Sequence, residues 1–217
     1  MTKRYFGNMV ISLLFVVIIS PIAQAQENRN VNLSLSYGYY SFFKSTWVQE
    51  LMVNNLTDAP SLTIDAPISN ALSINSKLIY LYLKSDAVSN VISGLGTQLK
   101  TYRGTTTVKE ILLFPKAQWI FYRRDSFMIA ANIGVMLGYI NEKFEFGNYL
   151  YGAGNKFDFG IVGIAGGLTV CNHLKDSPFS ILFTLDSHYG SRGDNGDNSL
   201  LREYDGYLLS FGIGLDL

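Results

Sequence analysis

The chain is poor in the residues that build many kinds of site. It has a single cysteine, Cys171, among 217 residues, which excludes an internal disulfide framework and any zinc centre built from several thiolates. It has only two histidines, His173 and His188, and its formal net charge is zero, so it carries no basic footprint for nucleic acid. Beyond the N-terminal region no segment is apolar for long enough to cross a membrane as a helix, which takes about 20 residues. What the chain has in abundance is aromatic residues, 14% of the total, together with 20 glycines. That pairing suits a barrel with aromatic girdles and close-packed strands.

The N-terminus reads as an export signal. Lys3 and Arg4 precede an apolar run from Met9 to Ile19, followed by Pro21 and the small-residue pattern Ala23-Gln24-Ala25. This three-part layout predicts a signal peptide over residues 1–25 with cleavage before Gln26. Its removal leaves a single domain, residues 26–217, with 15 cationic side chains against 17 acidic ones and hence a net charge of −2. An exported chain with no helical anchor is either soluble or a β-barrel.

The C-terminus favours the barrel. Tyr207, Leu209, Phe211, Ile213, Leu215 and Leu217 alternate with Leu208, Ser210, Gly212, Gly214 and Asp216, a period of two that gives a strand one bulky apolar face and one small or polar face. The bulky face is suited to lipid. Similar alternation recurs near Val31–Phe42, Ala71–Leu83, Val91–Arg103, Val108–Tyr122, Phe127–Glu142, Phe157–Cys171 and Phe179–Tyr189. Inward positions would include Lys77, Lys100, Lys116, Gln118, Asn132, Glu142 and Asp186, and outward ones Leu78, Tyr80, Leu113, Trp119, Ile133 and Phe183. The strand near Phe157–Cys171 is glycine-rich, and its facing is ambiguous. With eight strands, the connections Phe43–Asn70, Asn141–Lys156 and Gly190–Asp205 are long, those at Arg123-Arg124-Asp125 and Asn172–Pro178 are short, and a further short loop falls near Gly104–Thr107. Pro115 sits mid-strand, where its missing donor predicts a bulge or local irregularity.

With these features the chain resembles the small eight-stranded bacterial outer-membrane β-barrel proteins, often described as porin-like. The residues that carry the resemblance are Ser210, Gly212, Leu215 and Leu217, which occupy the places of that family's C-terminal assembly signal; Leu217 stands where many members end in Phe or Trp. The resemblance implies an all-β, eight-stranded antiparallel up-and-down transmembrane barrel in the outer membrane of a Gram-negative cell. It also implies insertion by the barrel-assembly machinery, a surround of outer-membrane lipid and lipopolysaccharide, and a monomer with no nucleic-acid partner. It implies no one activity, because a fold does not fix function.

Catalytic signals are weak. Asp186, His188 and Ser191 lie close in sequence and could suggest an acyl-transfer triad, but Ser191 has the wrong parity for the face that carries the other two. His173 falls with Lys175 and Asp176 in a short turn, where a solvated side chain is expected. Lys77, Lys100, Lys116, Glu142, Asp158 and Asp186 are expected to neutralise one another inside a narrow barrel rather than to form a selectivity filter. The Asp- and Gly-rich loop within Gly190–Asp205 lacks the terminal Glu of an EF-hand. The reading is therefore a non-enzymatic barrel without cofactor or metal, acting in envelope structure or surface contact through its loops. The alternatives are a lipid-modifying hydrolase using His188 and an exported soluble ligand-binding barrel.

Overall fold

The computed structural model describes residues 31–42, 56–92, 99–146, 155–192 and 202–217. They form eight strands: β1 Asn32–Phe42, β2 Leu56–Pro67, β3 Leu72–Ile92, β4 Leu99–Arg124, β5 Phe127–Phe146, β6 Asn155–His173, β7 Phe179–Arg192 and β8 Arg202–Asp216. Each pairs antiparallel with its sequence neighbours. The sheet closes between β1 and β8, from Asn32 opposite Asp216 to Phe42 opposite Gly206. Closure pairs the first strand with the last, as a sheet needs to sit in lipid, although the β2–β3 ladder is partial and runs from Ser61 opposite Ile79 to Pro67 opposite Ser73.

The connections sort cleanly to the two ends. β2–β3, β4–β5 and β6–β7 are joined by two to five residues, and the other four hairpins by six to thirteen. The first two turns of the short set use local chemistry. Ser69 Oγ accepts from the backbone N–H of Leu72 at 3.0 Å, and Asp125 takes a positive φ of 49°, a conformation that Asp tolerates better than most residues. Asp176, in the β6–β7 turn, does the same at 57°.

Two sequence expectations are corrected and a third is refined. The residues expected as a loop over Phe43–Asn70 contain β2, whose Leu62 and Ile64 face outward with Ser61 and Thr63 buried. The separate strand expected over Val91–Arg103 does not exist: its first residues end β3 and its last ones begin β4, so the loop expected near Gly104–Thr107 is strand. At Pro115 the expected bulge or local irregularity takes the second form, and the register shift itself lies between Ile120 and Tyr122. At Pro115 the β3 ladder is continuous (Ser76 opposite Pro115), and only the pairing of Phe114 and Pro115 with β5 is missing. A proline removes one donor, and one interrupted ladder absorbs it without an inserted residue.

The facing follows the expected parity on β1, β3, β4, β5, β7 and β8. Leu35, Trp119, Ile133, Phe183, Phe211 and Ile213 project outward and are exposed. Leu113 has outward parity but is buried, between its register partners Leu78 and Leu137. The ambiguous strand is settled: on β6, Val162, Ile164 and Leu168 face out, and Ile161, Ala165, Thr169 and Cys171 face in. The side chains of Lys100, Glu142 and Asp158, expected inside, lie outside the described residues, as do residues 1–30 with the proposed cleavage site.

Candidate functional site

The lumen is the place where chemistry could occur, and side chains fill it in three layers. Nearest the short turns, Met128, Cys171 and Leu182 pack together with Ile120 against them. A polar layer follows. Toward the other end lies an apolar layer containing Tyr40, Ile79, Leu81, Leu112, Phe114, Met136, Ile140, Ile161 and Leu208. This inner apolar layer was not anticipated, because residues such as Ile79 and Leu81 interleave with outward Leu78, Tyr80 and Tyr82, and an unbroken apolar run hides which member faces where.

The polar layer is built around Asp186. Its Oδ2 lies 2.7 Å from Lys77 Nζ and its Oδ1 2.5 Å from Lys116 Nζ, with all three side chains almost wholly buried. Lys77 also donates to Thr184 Oγ1 at 2.6 Å and to Ser210 Oγ at 3.1 Å, and those two hydroxyls are 2.6 Å apart. Each strand contributes by parity: β3 presents Lys77, β4 Lys116, β7 Thr184 and Asp186, and β8 Ser210. Charges removed from water persist only when paired and fully hydrogen-bonded, and Lys77 has three acceptors within reach. The expected pairing is thus observed for the three charged residues whose side chains are described, with two ammonium groups sharing one carboxylate. Nearer the short turns, Gln118 donates to Asp65 Oδ2 at 3.1 Å and to Ser73 Oγ at 3.2 Å, while Asn132 donates to Thr169 at 3.3 Å. Asp65 was missed because it lies in the stretch read as loop.

His188 marks the boundary between the polar and apolar layers. It is 4% exposed, stacked on Tyr40 with ring centroids 5.3 Å apart, near Phe114, and its Nε2 lies 2.5 Å from the Tyr40 hydroxyl. Asp186 gives both oxygens to the two lysines, and Ser191 falls on the opposite parity of β7, where it pairs with Val162 and Glu203. The three residues therefore do not assemble as a triad. His173, expected in a solvated turn, ends β6. Its Nδ1 lies 3.3 Å from Asp216 Oδ2, and Asn32 Nδ2 donates to Asp216 Oδ1 at 2.7 Å. Among the described residues no group of His, Cys, Asp and Glu could hold a metal ion. Most of the loop considered for a divalent ion, residues 193–201, lies outside the described residues.

The C-terminal residues take up distinct places. Ser210 joins the buried polar layer, and Gly212 faces the lumen beside Ser36. Leu215 is half-buried opposite Leu33, and exposed Leu217 donates its N–H to the carbonyl of Val31 at 2.8 Å.

No protein-family model matches the chain, and no curated protein matches it. Solved structures do. The chain is similar to Ail, the attachment invasion locus protein of Yersinia pestis, in complex with the heparin analogue sucrose octasulfate, with 9% identity and a TM-score of 0.54 over 86% of this chain and 99% of that one. It is similar to the outer-membrane protein OprG from Pseudomonas aeruginosa, with 12% identity and a TM-score of 0.50 over 87% and 97%. It is also similar to the outer-membrane protease OmpT from Escherichia coli, with 9% identity and a TM-score of 0.48 over 87% and 97%. At such identities the fold is what is shared, and activity does not follow from it. Closed, antiparallel and eight-stranded, the chain has the fold of the small outer-membrane β-barrels.

Proposed function

We propose that the protein is an integral outer-membrane barrel without enzymatic activity, acting in envelope structure or surface contact through the segments that join its strands at the end opposite the short turns. The observation that carries this reading is the combination of an apolar outer face with a filled lumen. Outward Leu35, Ile133, Ile164, Phe211 and Ile213 suit hydrocarbon and would be a liability in water. Inward Tyr40, Lys77, Leu112, Phe114 and Gln118 are buried almost completely, so the interior supports neither a channel nor a bound soluble ligand. With interior and belt committed to stability, the connecting segments 43–55, 93–98, 147–154 and 193–201 are the surface left for recognition.

Fractionation of cells expressing the full chain tests the reading. Recovery in the outer membrane, with an N-terminus at Gln26 and cleavage by added protease confined to those four segments, is the expected result. Recovery of the folded protein in the soluble fraction would overturn it. The non-enzymatic part is tested separately with lipid and peptide substrates: hydrolysis by refolded protein that His188→Ala abolishes would restore the hydrolase alternative.

A further inference from the structure

The layer of the lumen nearest the short turns gathers soft donor atoms. Cys171 and His173, two residues apart on β6, share a face, and Cys171 Sγ lies 3.7 Å from His173 Nε2. Met128, the register partner of Cys171 on β5, packs beside it, and both residues are buried. A thiol, a thioether and an imidazole nitrogen thus meet at one end of the β5–β6 ladder.

The imidazole is held from behind. His173 Nδ1 lies 3.3 Å from Asp216 Oδ2, and Asp216 Oδ1 accepts from Asn32 Nδ2 at 2.7 Å. The carboxylate favours the ring proton on Nδ1, which leaves the Nε2 lone pair on the side of the thiol. A carboxylate behind a histidine is the outer shell that orients such rings toward metals. Thiol, imidazole and carboxylate in this order also serve nucleophilic catalysis, but Cys171 is 3% exposed and packed with Met128 and Leu182, which keeps out a scissile carbonyl. A bare ion needs donors rather than a cavity, and the His173 side chain is 39% exposed.

Distance and charge select the ion. With metal–sulfur and metal–nitrogen bonds of about 2.3 and 2.0 Å, donors 3.7 Å apart subtend roughly 120° at a shared ion, the angle of a trigonal site with room for one more donor. Thiolate and thioether sulfur favour Cu(I) over harder ions. A monovalent ion that displaces the thiol proton leaves the buried charge unchanged, whereas a divalent ion leaves one positive charge uncompensated in an apolar layer. A tetrahedral centre also asks for more, and no group of three or more His, Cys, Asp and Glu able to hold a metal occurs among the described residues. Arg123 Nη2 donates to Met128 Sδ at 3.5 Å; its side chain is exposed and turns to water when the sulfur takes an ion.

We propose that Cys171, Met128 and His173 form a three-coordinate site for one soft monovalent metal ion, Cu(I), at the end of the barrel that carries the short turns, with Asp216 positioning the imidazole. Binding exchanges the ion for the thiol proton, forms a bond from Cys171 Sγ to the metal and changes no oxidation state. In outer-membrane barrels the short turns are periplasmic, so the ion is drawn from that compartment. The site goes beyond the surface role proposed above and does not depend on it.

Metal titration of the refolded protein in detergent, reduced and anaerobic, tests the site with two probes: Cu(I) buffered by a coloured chelator, and Ag(I), which matches its charge and softness. One ion per barrel should bind, with release of one proton and a near-ultraviolet thiolate-to-metal band, and excess Zn(II) should not displace it. Cys171→Ser should abolish both the band and the proton release. Asp216→Asn, which removes no donor to the ion, should weaken binding roughly tenfold. Met128→Leu, which conserves volume, should weaken it at least as much. Heat-modifiable migration on gels shows whether each variant is folded, and Met128→Leu decides the matter if Cys171→Ser does not fold. Binding that survives Cys171→Ser places the ion elsewhere, unchanged affinity in Met128→Leu leaves a lone thiol, and displacement by Zn(II) means a different class of ion; each would overturn the assignment.

Discussion

Gly167 and Asp186 are register partners on β6 and β7, and a Cβ added to Gly167 would stand 2.9 Å from Asp186 Oδ1 while running into the carbonyl oxygen of Leu185. The glycine makes room for the carboxylate that holds two lysines. Asp186→Leu should therefore destabilise the barrel by about 3–5 kcal/mol, because it strands two buried ammonium groups. Replacing all three charges together (Lys77→Met, Lys116→Met, Asp186→Leu) should be neutral or stabilising by ~1–4 kcal/mol. Gly167→Val should resemble the single Asp186 change in direction. Urea titrations of protein refolded into vesicles measure all three, and a triple variant as unstable as Asp186→Leu would show that the ion cluster is not what these residues contribute.

Neighbouring positions on β5 should respond oppositely to charge. Ile133 is 70% exposed on the outer face, whereas Asn132 is 6% exposed and bonded to Thr169. Ile133→Lys should cost roughly 2–4 kcal/mol near the bilayer midplane. Asn132→Lys, facing the polar layer, should cost less. Unfolding midpoints in the same lipid compare them, and equal losses would mean that the outer face does not contact hydrocarbon.

Shortening the last strand should stop assembly. β8 closes the sheet against β1, and Gly212 faces Ser36 so closely that a Cβ would meet the Leu35 carbonyl oxygen at 2.6 Å. Deleting Phe211–Leu217, or replacing Gly212 with Arg, should leave export intact and abolish the folded, heat-modifiable form. A band for folded, membrane-embedded protein at wild-type abundance would contradict this.

The purified barrel should not conduct ions. Tyr40, Lys77, Leu112, Phe114 and Met136 are buried across the lumen, and open aqueous channels in such folds take about 16–18 strands. Planar-bilayer recordings should show no sustained current. A stable channel of large conductance would require the inner layers to rearrange.

Legibility of the fold in the sequence depended on what surrounds each strand. β5, β7 and the end of β8 were readable because a single apolar medium on one side and packed side chains on the other enforce a period of two. β2 was not: Asp58, Pro60, Asp65 and Pro67 carry the marks of a loop, and only pairing with β1 on one side and β3 on the other makes them a strand. The pattern also failed where Lys84, Ser85 and Asp86 interrupt it, so the hairpin of β3 and β4 was divided at the wrong place. Parity located Lys77, Lys116 and Asp186 on the inner face but not as partners, since β3 and β7 are four strands apart in the sheet order. The Tyr40–His188 stack was hidden for the same reason.

The ion cluster draws on β3, β4 and β7, and β7 shares no ladder with either of the other two. No hairpin, nor any shorter run of consecutive strands than β3 to β7, can satisfy it. A chain that entered the bilayer hairpin by hairpin would expose the ammonium groups of Lys77 and Lys116 to hydrocarbon before their counter-ion arrived, at the cost of unpaired charge in an apolar medium. The ion cluster thus ties the middle of the chain together: the five strands from β3 to β7 have to be brought round on one another before its charges can leave water at low cost.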